Sequence, residues 1–270
     1  MSKIFNRKYL LAFGARGGDL TSVSELRVKF RIEKTNQKSA NSAKVEVYNL
    51  SEKSRNALQQ EDVILKLEAG YENALQGCFI GDVVKVEHRR QGADRVTIID
   101  CGDSQKALNE ATISKSYAKG TPIKNVVSDI IGTFKNTSFS QTLDTVISPL
   151  SQLTSGGSFE GASDNVLTEL LSSYGLNFSI QDNEVLVDGN PLLTDTDIKL
   201  VSAGTGLIQS PSKTDTGIAF QMLLDGKIRP LSVIQIQSNI VTGLYKATKV
   251  IHEGDNFDNP WFTNVEAEPL

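Results

Sequence analysis

Apolar and polar side chains alternate most regularly between residues 26 and 51. Over 26–33 every second residue is apolar and the residues between are charged, and the same period of two returns over 44–48. A period of two predicts half-buried antiparallel strands. The ten residues between these strands, 34–43, include no large apolar side chain. We therefore expect a long exposed hairpin arm that becomes ordered when a partner binds.

The rest of the N-terminal part also follows strand patterns. Further strands are predicted at 7–13, 63–71, 78–88 and 95–101. Ser51 is placed to cap a short helix that ends near Gln60. The glycine-rich stretch 14–19 is predicted to be a turn, because it lacks the Lys-Ser/Thr ending of a P-loop and does not open a helix. Residues 1–110 are thus predicted to form a closed or nearly closed antiparallel β-barrel with one helix against it.

Helical periodicity dominates the middle of the chain. One apolar stripe follows Thr121–Phe134, which begins with a cap threonine and a proline at the first helical position. A second helix is predicted from Ser163, its cap, to Gly175, its stop signal. The stretch 136–160 is too polar for a core and is expected to be a draped loop, whereas 177–187 predicts a hairpin. Residues 111–198 are therefore predicted to be a small α+β insertion.

The C-terminal part returns to strand patterns that resemble earlier ones. Segments 233–238, 249–252 and 261–265 follow the order of 63–68, 84–88 and 95–98, and both middle segments end on a histidine. A repeated order of this kind indicates a duplication. We predict a second barrel over 199–270, so that the mainly β chain has two antiparallel β-barrels flanking the small α+β domain.

Composition narrows the possible functions. With 39% hydrophobic residues among 270, the chain can bury sizeable cores. A net charge of −4 argues against binding nucleic acid by phosphate neutralisation. No apolar run reaches the ~20 residues that span a bilayer, and the first eight residues lack the apolar core of a secretion signal. We expect a protein made in a cytoplasm, with Cys78 and Cys101 as buried thiols.

Candidate chemistry is sparse. His88 and His252 are the only histidines, and without a carboxylate or thiol at ligand spacing we interpret them as hydrogen-bonding strand residues. Asp94, Asp100 and Asp103 fit neither a calcium loop nor a pair of catalytic carboxylates, and we interpret them as solvated turn residues. We therefore expect no catalytic residue, metal or cofactor.

Several blocks of residues, spread over nearly the whole chain, resemble a known family. They are Ser-Ala-x-Val-x-Val-Tyr-Asn-Leu-Ser at Ser42–Ser51, Gly70-Tyr71, Phe79–Val83, and His252–Asp255 followed by Trp261–Thr263. In this order the blocks resemble the baseplate hub proteins of contractile-tailed bacteriophages and related contractile injection systems.

The resemblance implies two tail-tube-like barrels per chain and three chains in a ring of pseudo-sixfold symmetry. Such a homotrimer joins the tail tube protein to the central spike protein and lets the tape measure protein and DNA pass, with DNA bound only in transit. It implies contacts with other baseplate proteins, a place in the virion after assembly in the host cytoplasm, and no membrane. A carbohydrate- or receptor-binding tail protein is the alternative, and a tail-associated muramidase is a third possibility.

We expect the subunit and tube interface to follow the first hairpin. It would use the charged strand face and the arm, through Arg27, Lys29, Arg31, Lys34, Thr35, Asn36, Gln37, Lys38, Asn41, Lys44, Glu46 and Tyr48. The basic residues of this face could instead contact a phosphate backbone. Because Glu33 and Glu46 share the face, cross-strand ion pairs account for them more simply.

Overall fold

Strands make up most of the computed structural model, which describes residues 6–36, 41–72, 74–103, 108, 110–139, 146–188 and 198–270. Contacts divide the chain into two compact units. The first contains Met1–Thr35, Asn41–Asp103 and Ile198–Leu270, and the second contains Asn36–Ala40 and Ser104–Asp197. No helix in the described part of the chain is long and apolar enough to cross a membrane.

The first unit begins with strands and one short helix, and it ends with a second set of strands. Its N-terminal elements are β1 (Arg7–Ala15), β2 (Thr21–Val23), β3 (Val28–Thr35), β4 (Ser42–Tyr48), α1 (Glu52–Ala57), β5 (Val63–Tyr71), β6 (Ala74–Gln91) and β7 (Asp94–Gly102). Its C-terminal elements, numbered after those of the second unit, are β13 (Lys199–Ser202), β14 (Ser212–Lys213), β15 (Ile218–Leu223), β16 (Val233–Gln237), β17 (Thr242–Asp255) and β18 (Trp261–Pro269). The predicted strands and the helix at Ser51 are confirmed, and the side chain of Ser51 accepts a hydrogen bond from the Ser54 amide.

Thirteen of the described strands form one sheet. Its path runs β14-β15-β18-β17-β3-β4-β7-β6-β5-β1-β2, with β16 also on β17 and β13 on β16. The path is open at both ends and no closed barrel is found among these strands, so the predicted two-barrel arrangement is not confirmed. The reason lies in β17, which is 14 residues long. Beyond the end of β16, its residues Lys249–Asp255 pair with β3 and so join the C-terminal strands to the N-terminal sheet.

The alternation read from the sequence decides which face of the sheet is buried. Val28, Phe30 and Ile32 of β3 lie in the N-terminal core. Trp261 of β18 lies in the same core, edge to face against Phe30 with ring centroids 5.6 Å apart. Burial of large apolar side chains of this kind contributes roughly 1.5–3 kcal/mol each before the entropy cost.

The glycine-rich stretch after β1 is a plain strand connection, as predicted. Gly17 has a φ of +78°, a value that favours glycine, and β2 then turns back along β1 with Phe13 opposite Thr21. The stretch does not lead into a helix, which a phosphate-binding loop requires.

The expected exposed arm over 34–43 is wrong at both ends. Lys34 and Thr35 belong to β3, and Ser42 and Ala43 belong to β4, so the hairpin is longer and its loop shorter than predicted. Lys34 is only 1% exposed. The middle of the predicted arm, 37–40, lies outside the described residues.

The second unit packs two helices with short strands. Its described elements are β8 (Thr112–Tyr117), α2 (Ile123–Ile131), β9 (Ser138–Phe139), β10 (Gly157–Ala162), α3 (Ser163–Ser172), β11 (Asn177–Gln181) and β12 (Glu184–Asp188). The predicted helices and the hairpin of β11 and β12 are confirmed. The expected draped loop is wrong in part, because β9 pairs with β12 and β10 pairs with β8.

The helix ends of this unit differ from the predicted caps. Pro122 stands at the N-cap of α2 rather than at its first helical position. Ser163 is the first residue of α3 and makes no capping bond; its buried hydroxyl instead meets that of Thr133 at 2.7 Å. Gly175 has a φ of +70° and follows α3 as predicted, with the amide of Leu176 bonded back to the carbonyl of Leu171.

Candidate assembly interface

The solvent-facing side of the sheet carries charges of both signs in cross-strand rows. Arg31 of β3 lies between Glu253 of β17 and Lys44 of β4, and Lys44 lies opposite Asp100 of β7. Lys85 of β6 ends the row opposite Asp100. Arg31 forms an ion pair with Glu253. Arg31 and Lys44 are like charges, but each also lies opposite a carboxylate on its other side, so the face has no single dominant sign.

Asp255 at the end of β17 holds the most buried ion pair of this face. Its carboxylate is 2% exposed and lies 2.7 Å from Arg27 and 3.5 Å from Lys29. Burial alone would raise the pKa of Asp255, but the hydrogen bond from Arg27 and the nearby positive charges hold that pKa below its usual value. Arg27 also lies over the ring of Tyr48, 5.0 Å from its centroid.

The structure places the predicted interface residues in four different settings. Six of them share the charged face, namely Arg27, Lys29, Arg31, Lys44, Glu46 and Tyr48. Thr35 and Asn36 are half-buried near the hairpin end, whereas Gln37 and Lys38 lie outside the described residues. The side chains of Lys34, Asn41 and Tyr48 are buried in the single chain, and the contact of these twelve residues with a partner stays a prediction.

Asn41 is hydrogen-bonded to Asp103, a residue that was predicted to be exposed to solvent. Asp103 is fully buried and accepts hydrogen bonds from the main-chain amide of Asn41 at 3.0 Å and from its side-chain amide at 2.9 Å. The interpretation of Asp103 as a solvated turn aspartate is therefore wrong. The bonds satisfy buried polar groups and tie β4 to the end of β7.

Both histidines are cross-strand hydrogen bonders, as predicted. Nδ1 of His88 lies 3.1 Å from the Thr97 hydroxyl, and Nδ1 of His252 lies 3.0 Å from the Thr263 hydroxyl. Each histidine stands directly opposite its threonine. The described residues contain no cluster of three metal-ligating side chains, and Cys78 and Cys101 are buried thiols that form no disulfide.

The two histidines differ in exposure. His252 is fully buried, and burial together with the charge of Lys34 lowers its pKa to about 3. His88 is exposed, and its pKa is lowered by partial desolvation and by the charges of Arg55 and Arg95. The same local bond thus lies in two different environments.

The histidine pairs belong to two motifs with the same strand order. Each motif consists of a hairpin followed along the chain by three consecutive strands, and the last of these three pairs with the hairpin. The spatial order of strands is β3-β4-β7-β6-β5 in the first motif and β14-β15-β18-β17-β16 in the second motif. In both motifs the register shifts four residues before the histidine, at Val84 and at Thr248. A shared bulge and a shared histidine–threonine pair support the predicted duplication.

One part of the sequence alignment is off by a residue. The sequence segments aligned Val63 with Val233, but the strand pairing aligns Ile64 with Val233. Ile64 lies opposite Asp82 and Val233 lies opposite Lys246. Asp82 and Lys246 hold the same place in the two motifs, two residues before the bulges at Val84 and Thr248. The buried residues Leu65 and Ile234 then coincide.

The unpaired edge of β6 is a feature that the sequence pattern did not reveal. From Lys85 to Gln91 this strand pairs with β7 on one side, and no described strand pairs with its other side. We call this stretch the open edge of β6. The sequence did contain a signal for this longer strand, because charged residues continue to alternate at Lys85, Glu87 and Arg89. These residues lie beyond Asp82, the last residue of β6 that pairs with β5.

The molecule is thus a mainly β protein with two motifs of one strand order, a charge-paired sheet face and an open edge on β6. The chain belongs to the baseplate hub gp41 family, whose model matches residues 11–267. No curated protein matches the sequence.

Solved structures with a similar fold are tail proteins and a secretion-system component. The tail protein from Neisseria meningitidis MC58 has a TM-score of 0.63 at 9% identity, over 96% of each chain. The 43 kDa tail protein of prophage MuSo2 from Shewanella oneidensis has a TM-score of 0.62 at 9% identity, over 97% of this chain and 98% of that one. The E. coli c3393 protein, a type VI secretion component, has a TM-score of 0.58 at 11% identity, over 96% and 76%. Family and fold together support a structural protein of the phage tail.

Proposed function

We propose that the protein is a non-enzymatic baseplate hub, in which three chains close into a ring of pseudo-sixfold symmetry. The ring joins the tail tube protein on one side to the central spike protein on the other. The observation that carries this proposal is the duplication, with the same strand order, bulge and histidine–threonine pair in both motifs.

The symmetry argument is arithmetic. A tube with sixfold symmetry offers six equivalent positions, and a chain that carries two copies of one motif fills two of them. Closed cyclic symmetry then requires three chains. The contact between chains is heterologous, since the first motif of one chain meets the second motif of the next.

The charge pattern suits a conduit for the tape measure protein and DNA. Ion pairs with Glu253 and Asp255 of β17 neutralise much of the positive charge of Arg27, Lys29 and Arg31. The chain as a whole carries a net charge of −4, which disfavours the retention of phosphates during ejection.

The alternative, a carbohydrate- or receptor-binding tail protein, would need exposed aromatic platforms. Among the described residues, Phe257, at 70% exposure, is the large aromatic side chain that stands open to solvent. A single exposed ring does not make such a platform, so we retain the hub as the proposed function.

Native mass spectrometry over a range of protein concentrations tests the proposal. We expect a monomer to give way to a trimer as concentration rises, and electron microscopy of the trimer should show a ring with six similar lobes. A stable hexamer, or a monomer at every concentration, would exclude the three-chain ring.

A further inference from the structure

The two motifs use the same strand edge differently. On β17, the edge that faces away from β18 pairs first with β16 and then, over Lys249–Asp255, with β3. On β6, the edge that faces away from β7 pairs with β5 over Ala74–Asp82. The stretch that follows, Lys85–Gln91, is the open edge. Within one chain, therefore, the first motif lacks the neighbour that β3 supplies to the second.

Exposure follows from that difference. His252, which pairs with Ile32 of the neighbouring strand β3, is fully buried, whereas His88, at the same place on β6, is exposed. Val84, at the bulge beside the open edge, is 68% exposed. An exposed edge with unpaired backbone groups and an apolar side chain is a surface that natural sheets usually cover.

A matching edge exists on the second motif. In the second motif β14 corresponds to β3 of the first motif. β3 pairs with β4, which lies next to β7, and β14 pairs with β15, which lies next to β18. Its residues Ser212 and Lys213 are exposed, and β15 is the strand with which they pair. The outer side of β14 has no partner among the described strands.

We infer that the open edge of β6 pairs with β14 of a second copy of this chain, as β17 pairs with β3 within the chain. This inference rests on the proposed ring and names the strands that close it. Each chain offers one open edge and one β14, so the contact repeats head to tail around the ring.

The internal contact also fixes the register. β17 sets His252 opposite Ile32 and Glu253 opposite Arg31. Transferred to the contact between chains, this register sets His88 opposite Lys213 and Arg89 opposite Ser212 of the next copy.

The size of the contact has a consequence for stability. Seven residue pairs join β17 to β3, whereas β14 has two residues in strand conformation. The contact between chains is therefore weaker than the contact within the chain, and the ring should form only at high protein concentration.

Disulfide trapping in the full-length chain tests the register. Directly opposed residues of antiparallel strands have Cα atoms about 4.5–5.5 Å apart, which suits a disulfide. The double variant Arg89→Cys with Ser212→Cys should, on oxidation, give covalently linked dimers and trimers on a non-reducing gel. Wild type serves as the baseline, because Cys78 and Cys101 are buried.

Two controls make the trapping specific. Arg90→Cys with Ser212→Cys places the first thiol on the opposite face of β6 and should not cross-link. Arg89→Cys alone should not cross-link either, because a head-to-tail contact never brings Arg89 against its own copy. Circular dichroism of the reduced variants checks that they are folded. Hydrogen exchange gives a second measurement, since amides of Lys85–Gln91 should gain protection in the assembled protein.

The outcomes separate this inference from the proposed function. A trimer with the expected cross-link and protection supports both. A trimer in which Arg89 and Ser212 do not cross-link and Lys85–Gln91 stays unprotected overturns the strand pairing but leaves the ring. A folded protein that remains monomeric at all concentrations overturns both.

Discussion

The buried histidine gives a prediction whose size follows from its environment. The pKa of His252 is lowered to about 3 by burial and by the charge of Lys34. In the unfolded chain the same imidazole has a pKa of about 6.5. Below that value the unfolded state takes up a proton that the folded state refuses, so stability is full above about pH 6.5 and falls as the pH decreases toward 3.

The expected loss can be worked out. Between about pH 7.5 and pH 5, protonation of this one group in the unfolded state should cost roughly 2 kcal/mol of unfolding free energy. The variant His252→Gln has no titratable group at this position and can still form a hydrogen bond with Thr263. Its unfolding free energy should therefore fall by roughly 2 kcal/mol less than that of the wild type between about pH 7.5 and pH 5. The variant His88→Gln is the matched control, because His88 is exposed and should leave the pH dependence nearly unchanged.

Two measurements check this prediction. Urea unfolding at both pH values gives the difference between wild type and each variant, with the transition of the first unit followed by the fluorescence of Trp261, the only tryptophan. NMR titration is more direct, because the chain has two histidines and therefore two imidazole signals. The signal of His88 should titrate and that of His252 should not move above about pH 5. If both signals titrate near neutral pH, the environment described for His252 is wrong.

Three further predictions concern packing, charge and DNA. Gly254→Ala should lower stability by about 1–3 kcal/mol, because a Cβ there would stand 2.3 Å from the ring of Phe30; Gly77→Ala, where a Cβ meets nothing within 4 Å, is the control, and equal effects in urea unfolding would refute the packing argument. Asp255→Asn should lower the unfolding free energy by about 1–2 kcal/mol in the same assay, because it removes the buried charged partner of Arg27 and Lys29. Glu87→Gln is the control and should have no measurable effect, because Glu87 belongs to an exposed ion pair. Gel shifts should show no duplex DNA binding at physiological salt, and micromolar binding that weakens steeply with salt would reveal a basic groove.

Local structure in the sheet could be read from the order of residues alone. The alternation over 26–33 fixed which side chains of β3 enter the core, because successive residues leave opposite faces of a strand. Ser51 predicted the start of α1, and Gly175 predicted the end of α3, because capping signals act within a few residues. The order of the repeated segments also indicated the duplication before any contact was known.

The pairing of strands that are far apart in the chain became visible in the three-dimensional structure. The alternation of β17 gives its two faces but not the neighbour on its second edge, and the pairing of Lys249–Asp255 with β3 turned two expected barrels into one open sheet. The same limit hid the burial of Asn41, whose partner Asp103 lies 62 residues away. Periodicity reports a side chain's face within its own strand, whereas edge pairing and burial depend on residues far along the chain, which local patterns do not encode.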